Sequence, residues 1–137
     1  MFEYKNFKEK VANMQFNFRS DGYIRVIAFI SDVYKEENIL AFYFKNGVNE
    51  KKKELFFIFK ESILKVSKIE DADFLFEHYS KNIVKKKFTT SKFTGQSHEL
   101  VLTFENGEQL VFNNIEDSNH DWAAEYTESI KEIYKYT

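Results

Sequence analysis

Glu99-Leu100-Val101-Leu102-Thr103-Phe104, then Glu105-Asn106-Gly107-Glu108, then Gln109-Leu110-Val111-Phe112: this stretch reads as strand, turn and strand, and a helix with the only tryptophan, Trp122, follows it. Two turn registers compete. A two-residue loop at Asn106-Gly107 sets Leu102 opposite Val111 and Thr103 opposite Leu110, which mixes apolar residues across both faces. A three-residue loop, Glu105-Asn106-Gly107, sets Leu102 opposite Leu110 and Leu100 opposite Phe112 instead. Leu100, Leu102, Phe104, Leu110 and Phe112 then share one face, and Thr103 and Gln109 lie on the other beside Val101 and Val111. A one-residue slip exchanges the faces, so the hydrophobic pattern selects the three-residue loop. Gly107 supplies the left-handed residue that a type I turn with a G1 bulge requires.

The helix after the hairpin has a start signal. Asp117 and Ser118 precede the apolar run, and Ser118 with Asp121 approximates a capping box. Trp122, Tyr126, Ile130, Ile133, Tyr134 and Thr137 recur at offsets of three and four as one apolar stripe. Acids lie early and lysines late, as the helix dipole favours.

Toward the N-terminus, Tyr4, Phe7, Val11, Met14 and Phe18 are also spaced by three and four, and predict a helix within residues 1–19. Ser20-Asp21-Gly22 breaks it. Tyr23 to Ile30 is β-branched and aromatic except for Arg25, and reads as a buried strand. Ser31 to Asn38 reads as a polar, acidic loop. Strands follow at Ile39–Lys45, Leu55–Phe59, Ser62–Ile69 and Asn82–Thr90, with a charged loop at Lys51–Glu54 and another loop at Ser91–Ser97. Asp71 to Tyr79 fits a short strand and a helical turn equally. No repeat or linker divides the chain, which predicts a single domain over 1–137. The count is an N-terminal helix, about seven strands and a C-terminal helix. Short connections make the strands antiparallel, so the fold class is α+β, a bent sheet or partly open barrel with a helix packed on it.

Composition sets further bounds. The 137 residues suffice for one core burying roughly two thirds of the unfolded surface. Sixteen Phe and eight Tyr supply its apolar content. Without cysteine, disulfides and thiolate metal sites are excluded. There is no N-terminal apolar run, so neither a signal peptide nor a membrane span is expected, and a cytoplasmic location is the default. A formal charge of -2 gives no general reason for nucleic acid or anionic membrane as partner. Proline is absent where average usage predicts about seven. With abundant Lys, Asn, Ile and Phe, this points to an AT-rich bacterial genome, which concerns codons rather than chemistry.

The hairpin Glu99–Phe104 with Gln109–Phe112, followed by the Trp122 helix, resembles the end of the pleckstrin-homology-like (PH-like) superfold, seven antiparallel strands capped by a C-terminal helix. The resemblance covers Tyr23 to Thr137, with the N-terminal helix as an addition. It implies a binding domain. Lipid-binding members use a basic loop between their first two strands. With the first strand at Tyr23–Ile30, that loop holds Asp32, Glu36 and Glu37 against Lys35 alone, which argues against phosphoinositide binding by that route. Fold does not carry function by itself.

Motifs for chemistry are absent. His78, His98 and His120 are dispersed and lack ligand spacing, so no metal and no cofactor are expected. Gly22, Gly47, Gly95 and Gly107 are isolated, which excludes phosphate-cradling loops, and Gly-x-Ser-x-Gly does not occur. Glu36-Glu37, Glu70-Asp71-Asp73 and Glu116-Asp117 lie in polar connections, where solvated acid is ordinary. No enzyme is expected. Lys51-Lys52-Lys53 is flanked by Glu50 and Glu54, which offset its charge. Lys85-Lys86-Lys87 reads either as an anion or partner patch or as an edge strand guarded by lysine. On a regular strand Lys86 shares a face with Val84 and Phe88. Tyr4, Phe7, Val11 and Met14 either pack on the sheet or form a helical interface with a second copy, a homodimer. The leading expectation is a non-enzymatic protein-binding or scaffold domain. The alternatives are an anionic-ligand or lipid-headgroup binder and an immunity- or antitoxin-type protein.

Overall fold

The structure is a computed structural model describing residues 3–13, 22–69, 73–91 and 97–137. Two helices come first, α1 (Tyr4–Ala12) and α2 (Tyr23–Val33), then a 3-10 turn at Glu36–Asn38. Seven strands follow: β1 (Ala41–Lys45), β2 (Glu54–Ile58), β3 (Ser62–Lys68), β4 (Phe74–Ser80), β5 (Ile83–Thr90), β6 (His98–Phe104) and β7 (Gln109–Asn113). Helix α3 (Ala123–Tyr136) ends the chain. All strand pairs are antiparallel, in two sheets ordered β1-β2-β3-β4 and β5-β6-β7 that do not close into a barrel. The fold class is α+β.

The four-stranded sheet is covered on both faces. Phe42, Phe44, Leu55, Phe57, Leu64 and Val66 pack against Tyr4, Phe7 and Val11 of α1 and Tyr23, Val26 and Ile30 of α2. Ala41, Tyr43, Phe56, Ile58 and Ile63 face Leu100, Leu102 and Phe112 of the second sheet and Tyr126, Ile130 and Ile133 of α3. That is why β2 reads as an unbroken apolar run. Phe56 and Tyr43 meet Phe112 edge-on at 4.9 and 5.0 Å between ring centroids, a favoured aromatic geometry.

The hairpin register is the one its hydrophobic pattern selects. Leu102 pairs with Leu110 and Leu100 with Phe112. Phe104 N–H donates to Glu108 O at 2.8 Å, closing a three-residue loop, and Gly107 has φ 90°.

Two expectations are corrected and one segment left open is decided. Tyr23–Ile30 is helix, not strand, and the helix runs on to Val33, so the expected loop Ser31–Asn38 is partly helical. Its buried residues Tyr23, Val26 and Ile30 keep helical spacing. Apolar residues on the outward positions (Ile24, Ala28, Phe29, Val33) hid that period. Asp71–Tyr79 resolves into β4 from Phe74, with residues 70–72 outside the described set. Helix α3 begins after Trp122, whose N–H is taken by Asn119 Oδ1 at 3.0 Å, and Ser118 does not cap it. Met14, Phe18 and residues 92–96 lie outside the described residues.

Candidate functional site

Five of the seven buried polar residues among those described, Asn46, Asn113, Asn114, Asp117 and Ser118, gather where the β1–β2 loop meets the β7–α3 connection. Asp117 accepts from Tyr43 Oη at 2.6 Å and from Asn113 N–H at 2.8 Å, with Lys45 Nζ 3.7 Å from its other oxygen. Burial pushes the Asp117 carboxyl above the usual carboxylate range, although Lys45, Tyr43 and Asn113 all pull it down. Burial likewise raises the Tyr43 phenol well above its ordinary value, helped by Asp117. Asn49 Nδ2 donates to Asn46 Oδ1 and to Ser118 O, both at 3.0 Å, and Asn114 Nδ2 to Thr127 Oγ1 at 3.0 Å. Ser118 Oγ donates to Asn114 O. The groups of this cluster satisfy one another, so it holds two loops together and offers no open position for a ligand.

The lysine runs separate by role. Lys86 Nζ donates to Tyr134 O at 3.0 Å and lies 4.1 Å from the Tyr134 ring centroid, so it caps the end of α3. Lys81 does the same at Tyr136 O, and burial, then Lys86, lowers its pKa. Lys85 and Lys87 project from the outer face opposite Thr103 and Val101. A bulge between Ile83 and Lys85 turns Val84 out of register, so Val84 does not share the face of Lys86 and is 66% exposed. Lys51 Nζ pairs with Glu116 at 3.0 Å and Lys53 Nζ bonds Asn49 O, whereas Glu54 pairs with Lys65. The offsetting of that run by Glu50 and Glu54 is thereby corrected. With the first strand at Ala41–Lys45, the loop between the first two strands is Asn46–Lys53, and the acidic Asp32–Glu37 segment precedes it.

Tyr4, Phe7 and Val11 are buried within the chain, Phe7 5.2 Å from Phe44 and Tyr4 5.2 Å from Phe57 between ring centroids. They pack on the sheet. Met14 lies outside the described residues.

The least covered apolar surface is elsewhere, at α2 and the β3–β4 corner. Ile24, Phe29, Val33, Ile69 and Leu75 are exposed there, five of the eight exposed large apolar residues among those described. Phe29 meets Phe76 in a tilted pair at 4.1 Å and Tyr23 meets Phe74 at 5.6 Å between ring centroids, so α2 lies against one face of the edge strand β4. On the other side of β4, where the two sheets part, is a cleft of about 440 Å³ lined by Glu77, Tyr79, Asn82, Phe104, Glu105 and Glu108, with His78 at its rim. Burial raises the Tyr79 phenol, and Glu77, Glu108 and Glu54 push the same way against Lys65. The cleft is therefore acidic, and Lys85–Lys87 do not line it. Among the described residues no three His, Asp or Glu side chains gather as a metal-holding set.

A family model described as a protein of unknown function, DUF3908, matches residues 3–128. The chain belongs to DUF3908. No curated protein and no solved structure matches it. The DUF3908 match begins at α1 and reaches into α3, so the two N-terminal helices fall inside the matched region rather than before it. Among the described residues, no helix is long and apolar enough to cross a membrane.

Nothing in the sequence singled out Phe74–Ser80 or α2 as a surface. One signal was present: Phe74–Ser80 has neither lysine nor proline, whereas the other long edge strand, Ile83–Thr90, has three lysines in a row.

Proposed function

We propose that this DUF3908 chain is a non-enzymatic protein-docking domain of PH-like architecture. The observation that carries this reading is the exposure of Ile24, Phe29 and Val33 on α2. Exposed apolar side chains on a helix whose other side is already packed on a sheet mark a candidate interaction site. The inner side of α2 meets the sheet, while Ile24, Phe29 and Val33 are exposed on it together with the polar Arg25, Ser31 and Asp32, and Ile69 and Leu75 are exposed at the β3–β4 corner. Four plus three antiparallel strands with a terminal helix agree with the PH-like order, to which α1 and α2 add a layer.

The test is Ile24→Lys with Val33→Lys. Both residues are exposed, so stability should change by less than about 0.5 kcal/mol each. A stoichiometric partner recovered with the unaltered chain should be lost with the double variant. Undiminished capture by a folded double variant would overturn the reading. A partner enzyme whose activity the chain blocks would make it an immunity-type protein.

A second reading, an anionic-headgroup binder, is favoured by one observation. The loop between the first two strands carries Lys51, Lys52 and Lys53, the position where lipid-binding members of the superfold are basic. Lys51 is engaged with Glu116 and Lys53 with Asn49. Salt-sensitive binding to anionic vesicles that Lys52→Glu abolishes would favour it over docking.

A further inference from the structure

We infer that β4 accepts an added strand: an extended segment of a partner protein that places a lysine or arginine in the acidic cleft. This rests on the protein-docking reading above and gives the partner's form and charge.

Unpaired edge strands are templates for strand addition, and proteins commonly blunt them with lysine, proline, bulges or cover. Of the four edges here, three are blunted. Strand β1 lies beneath α3, where Tyr126 Oη donates to Phe44 O. Strand β5 carries Lys85, Lys86 and Lys87 and a bulge. Strand β7 has five residues, and Lys45 Nζ takes Val111 O at 2.6 Å. Among the described residues strand β4 has no lysine, proline or bulge, and α2 reaches only one of its faces, through Tyr23 on Phe74 and Phe29 on Phe76. Its seven residues, Phe74 to Ser80, pair with β3 from Lys68 to Ser62 without a shift.

The hydrogen-bonding pattern says which groups are open. Ile69 N–H donates to Asp73 O, and Lys81 N–H donates to Glu61 O, at the two ends of the β3–β4 ladder. Antiparallel alternation then turns the odd-numbered residues of β4 toward β3, and the N–H and C=O of Phe74, Phe76 and His78 outward. Those outward groups have no hydrogen-bond partner among the described residues. An added strand would satisfy them, with specificity coming from its alternate side chains.

The flanks of β4 select those side chains. On one side, Phe76 and Phe29 offer an apolar seat. On the other is the cleft, with Glu77, Glu105 and Glu108 facing it and Lys65 held between Glu54 and Glu77 at 3.1 and 3.9 Å. A basic side chain entering there meets net negative charge. Two-fold pairing of β4 with itself centred on Glu77 sets carboxylate against carboxylate, which is unfavourable for directly opposed residues.

The experiment uses the full chain and two capped nine-residue peptides of alternating threonine and valine, one with arginine at its centre and the other with glutamate. The arginine peptide should slow amide exchange at Phe74, Phe76 and His78, and the glutamate peptide should not. Glu108→Lys, on an exposed turn, should weaken arginine-peptide binding about tenfold. His78→Pro removes one outward donor without touching the β3 ladder and should weaken it as well. Three results would overturn the inference: no protection by the arginine peptide up to about 1 mM, equal protection by both peptides, or protection in the free chain through self-association. If capture of a partner still depends on Ile24 and Val33 in any of these cases, the docking reading stands and only the β4 inference falls.

Discussion

Tyr43→Phe removes one oxygen and isolates one hydrogen bond. Tyr43 is 1% exposed and its partner Asp117 4%, so water cannot readily replace the donor that is lost. The bond is 2.6 Å to a carboxylate oxygen. A hydrogen bond to a charged group contributes about 1.5–3 kcal/mol, and one between neutral groups about 0.5–1.5 kcal/mol. With Asp117 in its ionised form, the loss should therefore be about 2 kcal/mol. With a urea m-value of about 2 kcal/mol/M, the midpoint should fall by about 1 M, measured by Trp122 fluorescence. The pH dependence follows from the raised pKa of Asp117. The folded state holds the proton more tightly than the unfolded chain, so the stability from this group is complete below the unfolded carboxylate pKa and is lost as pH rises through the folded one. Tyr43 is one of the groups pulling that pKa down, so its removal shifts the loss to higher pH. The deficit of Tyr43→Phe should therefore grow as pH rises through the raised folded-state pKa of Asp117. In an Asp117→Asn background it should shrink toward the neutral value on both sides of that pKa. A deficit below about 0.5 kcal/mol with Asp117 ionised, or one larger below that pKa than above it, would refute the reasoning.

Two further comparisons test the packing. Gly47→Ala puts a Cβ 2.6 Å from Cδ2 of the buried Phe44 ring and should cost about 1–3 kcal/mol by overpacking, whereas Gly107→Ala meets nothing within 4 Å and should cost about 1 kcal/mol through its φ of 90° alone; equal losses in urea unfolding would contradict this. Lys86→Met should lose about 0.5–1 kcal/mol with the carbonyl and ring contacts at Tyr134, while Lys85→Met and Lys87→Met change stability by less than about 0.5 kcal/mol, and a similar effect of all three would remove the capping role of Lys86.

The candidate surface was less legible than the fold. Lys85–Lys87 drew attention as charge, yet one of the three serves the end of α3, 48 residues away in the chain. Strand β4 and the outer side of α2 came to notice only once it was known what covers each edge and each face, and burial cannot be read from residue type alone.

What the sequence by itself determined were the elements whose pattern is local. The β6–β7 register follows from alternation and from a glycine able to take positive φ, and α3 follows from a stripe spaced by three and four. Tertiary structure decided the rest. Tyr23–Val33 carries apolar residues outside its buried stripe and so reads as a β-branched and aromatic run, although Tyr23, Val26 and Ile30 keep helical spacing; packing of that stripe on the sheet goes with the helix. Asp117 and Ser118 look like solvent-side caps, but Tyr43, 74 residues earlier, draws Asp117 inside. A contact at that separation leaves no local signal, because it exists only after two loops have met.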